Sequence, residues 1–257
     1  MTLHEAIAAR IAAARASGTP IAPFRDTHPE LGAADAYAIQ DINTARRRAA
    51  GGYTVGRKIG LTSAAVQTQL GVDEPDSGWL WADRAFTSGA TITDTRLMAP
   101  RVEAEIALVL ASDLNDGENL ADAVAYAVPA LEIVDSAIRD WDIGLVDTVG
   151  DNASGWGFVL GGPETAITGL ALAEMEMTLS RDGTIESQGR GSATMGSPLN
   201  ALAWLARHAS ARGYPLKAGE VIMSGALGPV LAARRGNRFE ARIGSFAPVS
   251  VSFDTSD

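Results

Sequence analysis

The sequence predicts an α+β protein in which a helical N-terminal region precedes a large mixed or antiparallel sheet. Three observations predict it. Residues 1–52 carry two helix-like segments, short alternating strands dominate from residue 53, and the later helices lack the regular alternation of a doubly wound fold. At 257 residues, 46% hydrophobic and 20% charged, the chain can bury a sizeable core. The expected division is 1–52, helical, and 53–257, sheet-bearing.

Taken in order, Thr2 and Glu5 have the spacing of a capping box, so residues 2–16 read as a helix that Gly18 ends. The segment "GTPIAPFRDTHPE" is turn-rich. A second helix spans about 33–50, with Arg46, Arg47 and Arg48 complementing its dipole before Gly51-Gly52 closes it. Strands follow at "YTVGRKIGLT", "RVEAEIALVL", "ALEIVD", "GFVLGG", "MEMTLSRDG", "EVIMSG" and "APVSVSF". "NLADAVAYAV" predicts a short helix stopped before Pro129. "SPLNALAWLARHASARG" predicts a longer one, capped by Ser197, with Pro198 at its first position and Gly213 past its end.

Composition excludes several functions. With 31 acidic and 21 basic residues the net charge is -10, which makes nucleic acid and anionic membrane poor partners. There is no cysteine, hence no disulfide, thiolate zinc site or cysteine nucleophile. The N-terminus lacks the pattern of a signal peptide and no apolar run reaches spanning length, so a cytoplasmic protein is expected. In "GRGSATMG", Thr194 stands where a dinucleotide fingerprint needs its third glycine. His4, His28 and His208 have no ligand spacing and read as surface or helix-packing residues.

The chemistry starts with "APRVEAEIALVL". Alternation puts Val102, Ala104, Ile106, Leu108 and Leu110 on one face of a strand and Glu103 and Glu105 together on the other. A solvated face would explain that pair. Glu132, in "VPALEIVDS", has apolar neighbours on both faces and reads as a buried carboxylate. Such a group is neutralised, paired with Lys58, Arg101 or another base, or bound to metal; three carboxylates from two strands suit Mg²⁺ or Mn²⁺. Lys58 lies between Gly56 and Gly60 on its strand face, which would leave room for a ligand, although a solvated lysine fits as well. Three loops could complete a site: "GVDEPDSGW" with Asp73, Glu74 and Asp76, "GDNASGWG" with Asn152 and Ser154, and "MSGALGP", whose N–H groups around Gly225 and Leu227 could receive an anion.

In the order "GRKIGLTS", "VQTQLGVDEPD", "RVEAEIALVL", "LEIVDSAIRDW", "DTVGDNAS", "NALAWLA" and "VIMSGAL", the chain resembles the 2-oxopent-4-enoate hydratase and 4-oxalocrotonate decarboxylase branch of the fumarylacetoacetate hydrolase superfamily. The resemblance covers nearly the whole chain. It implies a mixed β-roll catalytic domain over 53–257, a homo-oligomer, and a divalent metal, Mg²⁺ or Mn²⁺, on Glu103, Glu105 and Glu132. It further implies a 2-hydroxy-2,4-dienoate substrate, Lys58 and Asp76 as catalytic groups, and Ser154, Ser224, Gly225 and Leu227 as substrate-binding positions. The expected reaction is hydration to a 4-hydroxy-2-oxo acid in aromatic meta-cleavage catabolism. Decarboxylation of a 2-oxohexenedioate is the first alternative; acylpyruvate hydrolysis and a weakly active subunit partnering a paralogue are the others. Ser77, Gly228-Pro229 and the glycine after Ser154 depart from the family pattern and bear on the substrate tail.

Overall fold

The computed structural model describes residues 1–63, 67, 74–114 and 120–255; Asp73 lies outside them. Helix α1 (Leu3–Ser17) begins with the expected capping box, Thr2 and Glu5 each satisfying the other's backbone N–H, and ends on Gly18 in the left-handed region. Helix α2 (Ala33–Ala49) carries its three arginines in the last turn. Ile7, Ile11, Phe24 and Ile39 form an apolar cluster that also takes in Ala137 and Ile138, so the helices pack on the sheet-bearing part of the chain.

The strands are β1 (Thr54–Gly60), β2 (Asp76–Trp81), β3 (Ala85–Thr87), β4 (Ala90–Ile92), β5 (Arg101–Leu110), β6 (Val124–Val134) and β7 (Gly155–Leu160), followed by β8 (Glu176–Arg181), β9 (Thr184–Arg190), β10 (Val221–Met223), β11 (Leu231–Ala232), β12 (Arg238–Ile243) and β13 (Val249–Phe253). One mixed sheet runs β2-β1-β10-β5-β6-β7-β3, with β11 beside β5, and a second runs β4-β13-β12-β8-β9. The main core lies between them. There the even-numbered face of β5 meets Leu131 and Ile133 of β6, Phe239 and Val251 of the second sheet, and Leu202 and Leu205 of the helix Pro198–Ala211. The opposite face carries a smaller cluster that includes Ala107, Val128, Ala130 and Met223.

Two expectations are corrected. The predicted helix over "NLADAVAYAV" is a short helix at Leu120–Ala123, after which Val124 already begins β6. The stop read at Pro129 fails because Pro129 sits inside the strand, opposite Ile106. Its missing N–H points away from β5, on the side where Ala127 pairs with Thr165 and where the Pro129 carbonyl accepts from Gly161, so no β5–β6 bond is lost. Asp76, read as a loop residue, is the first residue of β2 and is buried. Among the described residues no helix is long and apolar enough to cross a membrane.

Candidate metal centre

The register of β5 on β6 sets Glu103 directly opposite Glu132, and Glu105 opposite Ala130. Glu105 is therefore the diagonal neighbour of Glu132 on the same face. One carboxylate oxygen from each of the three lies within 4.8 Å of the others. Glu105 and Glu132 are fully buried and Glu103 is half-buried, which removes the solvated-face reading.

β1 and β2 supply the other charges. Lys58 pairs with Met223 of β10, which pairs with Ala107 of β5, so all three share the face of the glutamates. Its Nζ lies 3.6 Å from Glu132 Oε1 and donates to the Ala153 carbonyl at 2.8 Å. Asp76 is opposite Gly60, one strand further out. The glycines beside Lys58 make room for the protein itself, not for a ligand. A Cβ at Gly60 would lie 2.3 Å from Asp76 Oδ1, and one at Gly56 would lie 1.8 Å from the Val221 carbonyl.

Four carboxyl groups thus surround one buried ammonium. Burial pushes Glu132 up to about 7 against the pull of Lys58, with Glu103 adding to the rise. Glu105 is raised well above the ordinary range by burial first, then by Glu132 and Glu103. Burial likewise raises Asp76 and Glu103, each opposed by Lys58. For Lys58 burial acts downwards, yet the summed field of Glu132, Asp76, Glu103 and Glu105 outweighs it and leaves a net rise. Among the described residues, Glu105 Oε1 and both oxygens of Glu132 are buried without a hydrogen-bond partner. A divalent cation fits this set: it takes hard oxygen donors and offsets like charges that otherwise raise one another's pKa.

The loops behave differently. Ser154 Oγ lies 3.3 Å from Thr148 Oγ1, which donates to Asp76 Oδ2 at 3.4 Å, so Ser154 joins the site. Ser224 Oγ is buried with no partner among the described residues. The N–H groups of Gly225 and Leu227 are not free, as the sequence suggested: the first donates to Glu105 Oε2 at 2.8 Å and the second to the Ala104 carbonyl at 2.9 Å. The group held at Gly225 is the carboxyl of the protein's own Glu105. None of the histidines joins the cluster; His4 contacts Asp35, His28 pairs with Glu30, and His208 stacks on Trp204.

Residues 56–253 match the fumarylacetoacetate (FAA) hydrolase C-terminal family. The chain belongs to that family. It is 52% identical to 2-keto-4-pentenoate hydratase of Paraburkholderia xenovorans (strain LB400) over 244 residues, 93% of this chain and 91% of the relative. It is 41% identical to 2-hydroxyhexa-2,4-dienoate hydratase of Comamonas testosteroni over 250 residues, 95% of each chain. Among solved structures, 4-oxalocrotonate decarboxylase from Pseudomonas putida G7, complexed with magnesium and adipate, superposes with a TM-score of 0.91 at 29% identity, over 98% of this chain and 99% of that one.

In this family member two parts of the site escaped the sequence reading. Thr148 bridges Asp76 and Ser154 from the short helix Leu145–Gly150, and a lone threonine gives no signal. The Ala153 carbonyl that holds Lys58 is backbone, invisible in any residue pattern.

Proposed function

We propose that this protein is a metal-dependent hydratase of 2-hydroxypenta-2,4-dienoate, giving 4-hydroxy-2-oxopentanoate. The observation that carries the reading is the carboxylate triad, with the buried unpartnered oxygens of Glu105 and Glu132 beside Lys58, in a chain about half identical to 2-keto-4-pentenoate hydratases. In this reading Glu103, Glu105 and Glu132 hold Mg²⁺ or Mn²⁺, which when bound supplies Lewis acidity to an oxo group and its neighbouring carboxylate.

The chain's own residues do the rest. Lys58, fixed by the Ala153 carbonyl, pairs with the substrate carboxylate or with the charge that develops on the 2-oxo oxygen. Ketonisation of the dienol puts a proton on C5; the hydroxyl of water then bonds to C4 while C3 gains a proton. Asp76 is the group assigned to move protons, since burial raises its pKa towards the working range. Ser154 and Ser224 orient the substrate, while Gly225 and Leu227 keep Glu105 and β5 in place. Residues 53–257 then form the catalytic unit under a helical region 1–52, in a cytoplasmic homo-oligomer.

The test is the decay of diene absorbance of freshly generated 2-hydroxypenta-2,4-dienoate, with purified protein after chelation and again with Mg²⁺ or Mn²⁺. Metal-restored 4-hydroxy-2-oxopentanoate, identified by mass, is the expected result. Release of CO₂ from 2-oxohex-3-enedioate with no hydration of the dienoate would replace the reading with a decarboxylase.

A further inference from the structure

The turn that holds Lys58 is tied to α1 by one side chain. Arg15, in the last turn of α1, donates from Nε and Nη2 to the two oxygens of Asp151 at 2.9 and 2.6 Å. Its Nη1 donates to Asp135 Oδ2 at 3.0 Å, and Nη2 also meets the Asp135 carbonyl. Both aspartates are buried. Each leads to the site along a short path. Asp135 stands three residues after Glu132, and its N–H donates to the Ser154 carbonyl at 2.9 Å. Asp151 opens the segment Asn152-Ala153-Ser154, in which all three non-glycine residues have φ between 51° and 60°.

Such a run is held only when its surroundings over-determine it. Asp151 Oδ2 also accepts from Ala137 N–H at 2.7 Å, and the Asn152 side chain brackets Trp79, accepting from its N–H at 2.8 Å and donating to its carbonyl at 3.0 Å. The product of this bracing is the direction of one carbonyl, that of Ala153, which receives Lys58 Nζ at 2.8 Å and so sets Lys58 against Glu132.

We infer that Arg15 is a positioning residue of the active site: its guanidinium, spanning Asp135 and Asp151, fixes the left-handed turn whose Ala153 carbonyl aims Lys58. Lysine could not replace it, because only the planar fork reaches both carboxylates at once. The N-terminal helix is then a working part of the catalytic centre, lying outside residues 56–253 that match the family.

The kinetic arm of the test rests on the hydratase reading; a second arm does not. Lys58 and Lys217 are the only lysines in the sequence, and Lys217 is an exposed partner of Asp113. Acetylation of the Mg²⁺-saturated protein, followed by peptide mass spectrometry, therefore reports Lys58 against an internal reference. Arg15→Met is expected to raise Lys58 labelling relative to Lys217 and to lower kcat about 10–100-fold, with KM changed less than about threefold. Arg15→Lys should fall between wild type and Arg15→Met in both readouts. Phe239→Leu, a core change in the second sheet, serves as the control for simple loss of stability and should leave Lys58 protected and kcat unchanged.

Wild-type labelling and kcat in Arg15→Met overturn the inference, as does equal exposure of Lys58 in a Phe239→Leu protein of matched Tm. Should Arg15→Met not fold, Arg15→Lys carries the same decision, and wild-type values there overturn it. If the wild type turns over no dienoate, the hydratase reading falls while the labelling comparison still judges the clamp.

Discussion

The two faces of β5 and β6 are built from alternate residues of the same strands, yet they obey opposite rules. On one face Val102, Ala104, Ile106, Leu108, Leu131 and Ile133 disappear into the main core. On the other, the buried Glu105 and Glu132 converge with the half-buried Glu103, and with Asp76 of β2 they make four carboxyl groups around the Lys58 ammonium. The apolar face lowers the free energy of the fold simply by being covered. The carboxylate cluster on the other face raises it, since each carboxylate is taken from water and set beside its like, although Ala107, Val128 and Ala130 of the same face are covered like the main core. The difference teaches that the main core and the proposed metal site are separated here by strand parity: a change on one face should spare the property carried by the other.

The largest expected effect breaks the acidic face. Glu132→Gln keeps the shape but removes one charge of the proposed ligand set, and turnover with saturating Mg²⁺ should fall about 1,000-fold, roughly 4 kcal/mol of lost stabilisation. Calorimetric Mg²⁺ binding should weaken in parallel. Without metal, the Tm of Glu132→Gln should hold level or rise, because a crowded buried carboxyl has gone. Near-normal turnover would remove Glu132 from the site.

Leu131→Ala, one residue earlier on the opposite face, should do the reverse. Its side chain is fully buried in the main core, so unfolding free energy should drop by about 2–5 kcal/mol in urea titration. Mg²⁺ affinity of the folded protein should stay within about threefold of wild type, since additivity holds where partners are not shared. A metal affinity that falls with stability would show that the two faces are coupled through the strand.

Much of this division was legible in the sequence. The alternation of β5 assigned every side chain to its face, and Glu132 stood out because its neighbours on both sides are apolar. The capping boundaries of α1 and the C-terminal helix could be read because caps are local chemistry. What could not be read depends on distant parts of the chain. The run before Pro129 alternates helix-favouring alanines with the strand-favouring Val124, Tyr126 and Val128, so its local preference is divided, and the length of β5 beside it settles Val124–Val134 as a strand. Gly56 and Gly60 face the Val221 backbone and the Asp76 side chain where the sequence suggested room for a ligand, since strand order sets what a glycine faces. The engaged N–H groups of Gly225 and Leu227 follow from the same order, which brings the loop after β10 onto β5.

A smaller effect sharpens the comparison through pH. Burial raises the carboxyl of Glu132 from its ordinary 4.5 to about 7 in the metal-free fold, so the native state binds a proton that the unfolded chain has released between those values. The metal-free protein accordingly loses stability from this group as pH rises through that window, the reverse of a salt-bridged acid. Metal needs the ionised form, so Mg²⁺ affinity should rise with pH, by up to about tenfold per unit for one coupled proton. The gap in Tm between Mg²⁺-saturated and chelated protein should widen from pH 5 to pH 8. A gap that is constant across this range would mean that the carboxyl cluster is already ionised without metal.

The smallest expected effect on the fold is at Ser224, where the two rules meet in one side chain. Its hydroxyl is buried beside the glycine that holds Glu105, and no group among the described residues bonds to it. An unsatisfied hydroxyl gives the fold nothing, so Ser224→Ala should change unfolding free energy by no more than about 1 kcal/mol and should not lower it. If the hydroxyl is kept to bond substrate, the cost appears elsewhere: kcat/KM for the dienoate should drop several-fold while Mg²⁺ affinity is unchanged. A loss of stability without a kinetic change would instead make Ser224 a structural residue, and the apolar rule would then extend to the edge of the metal centre.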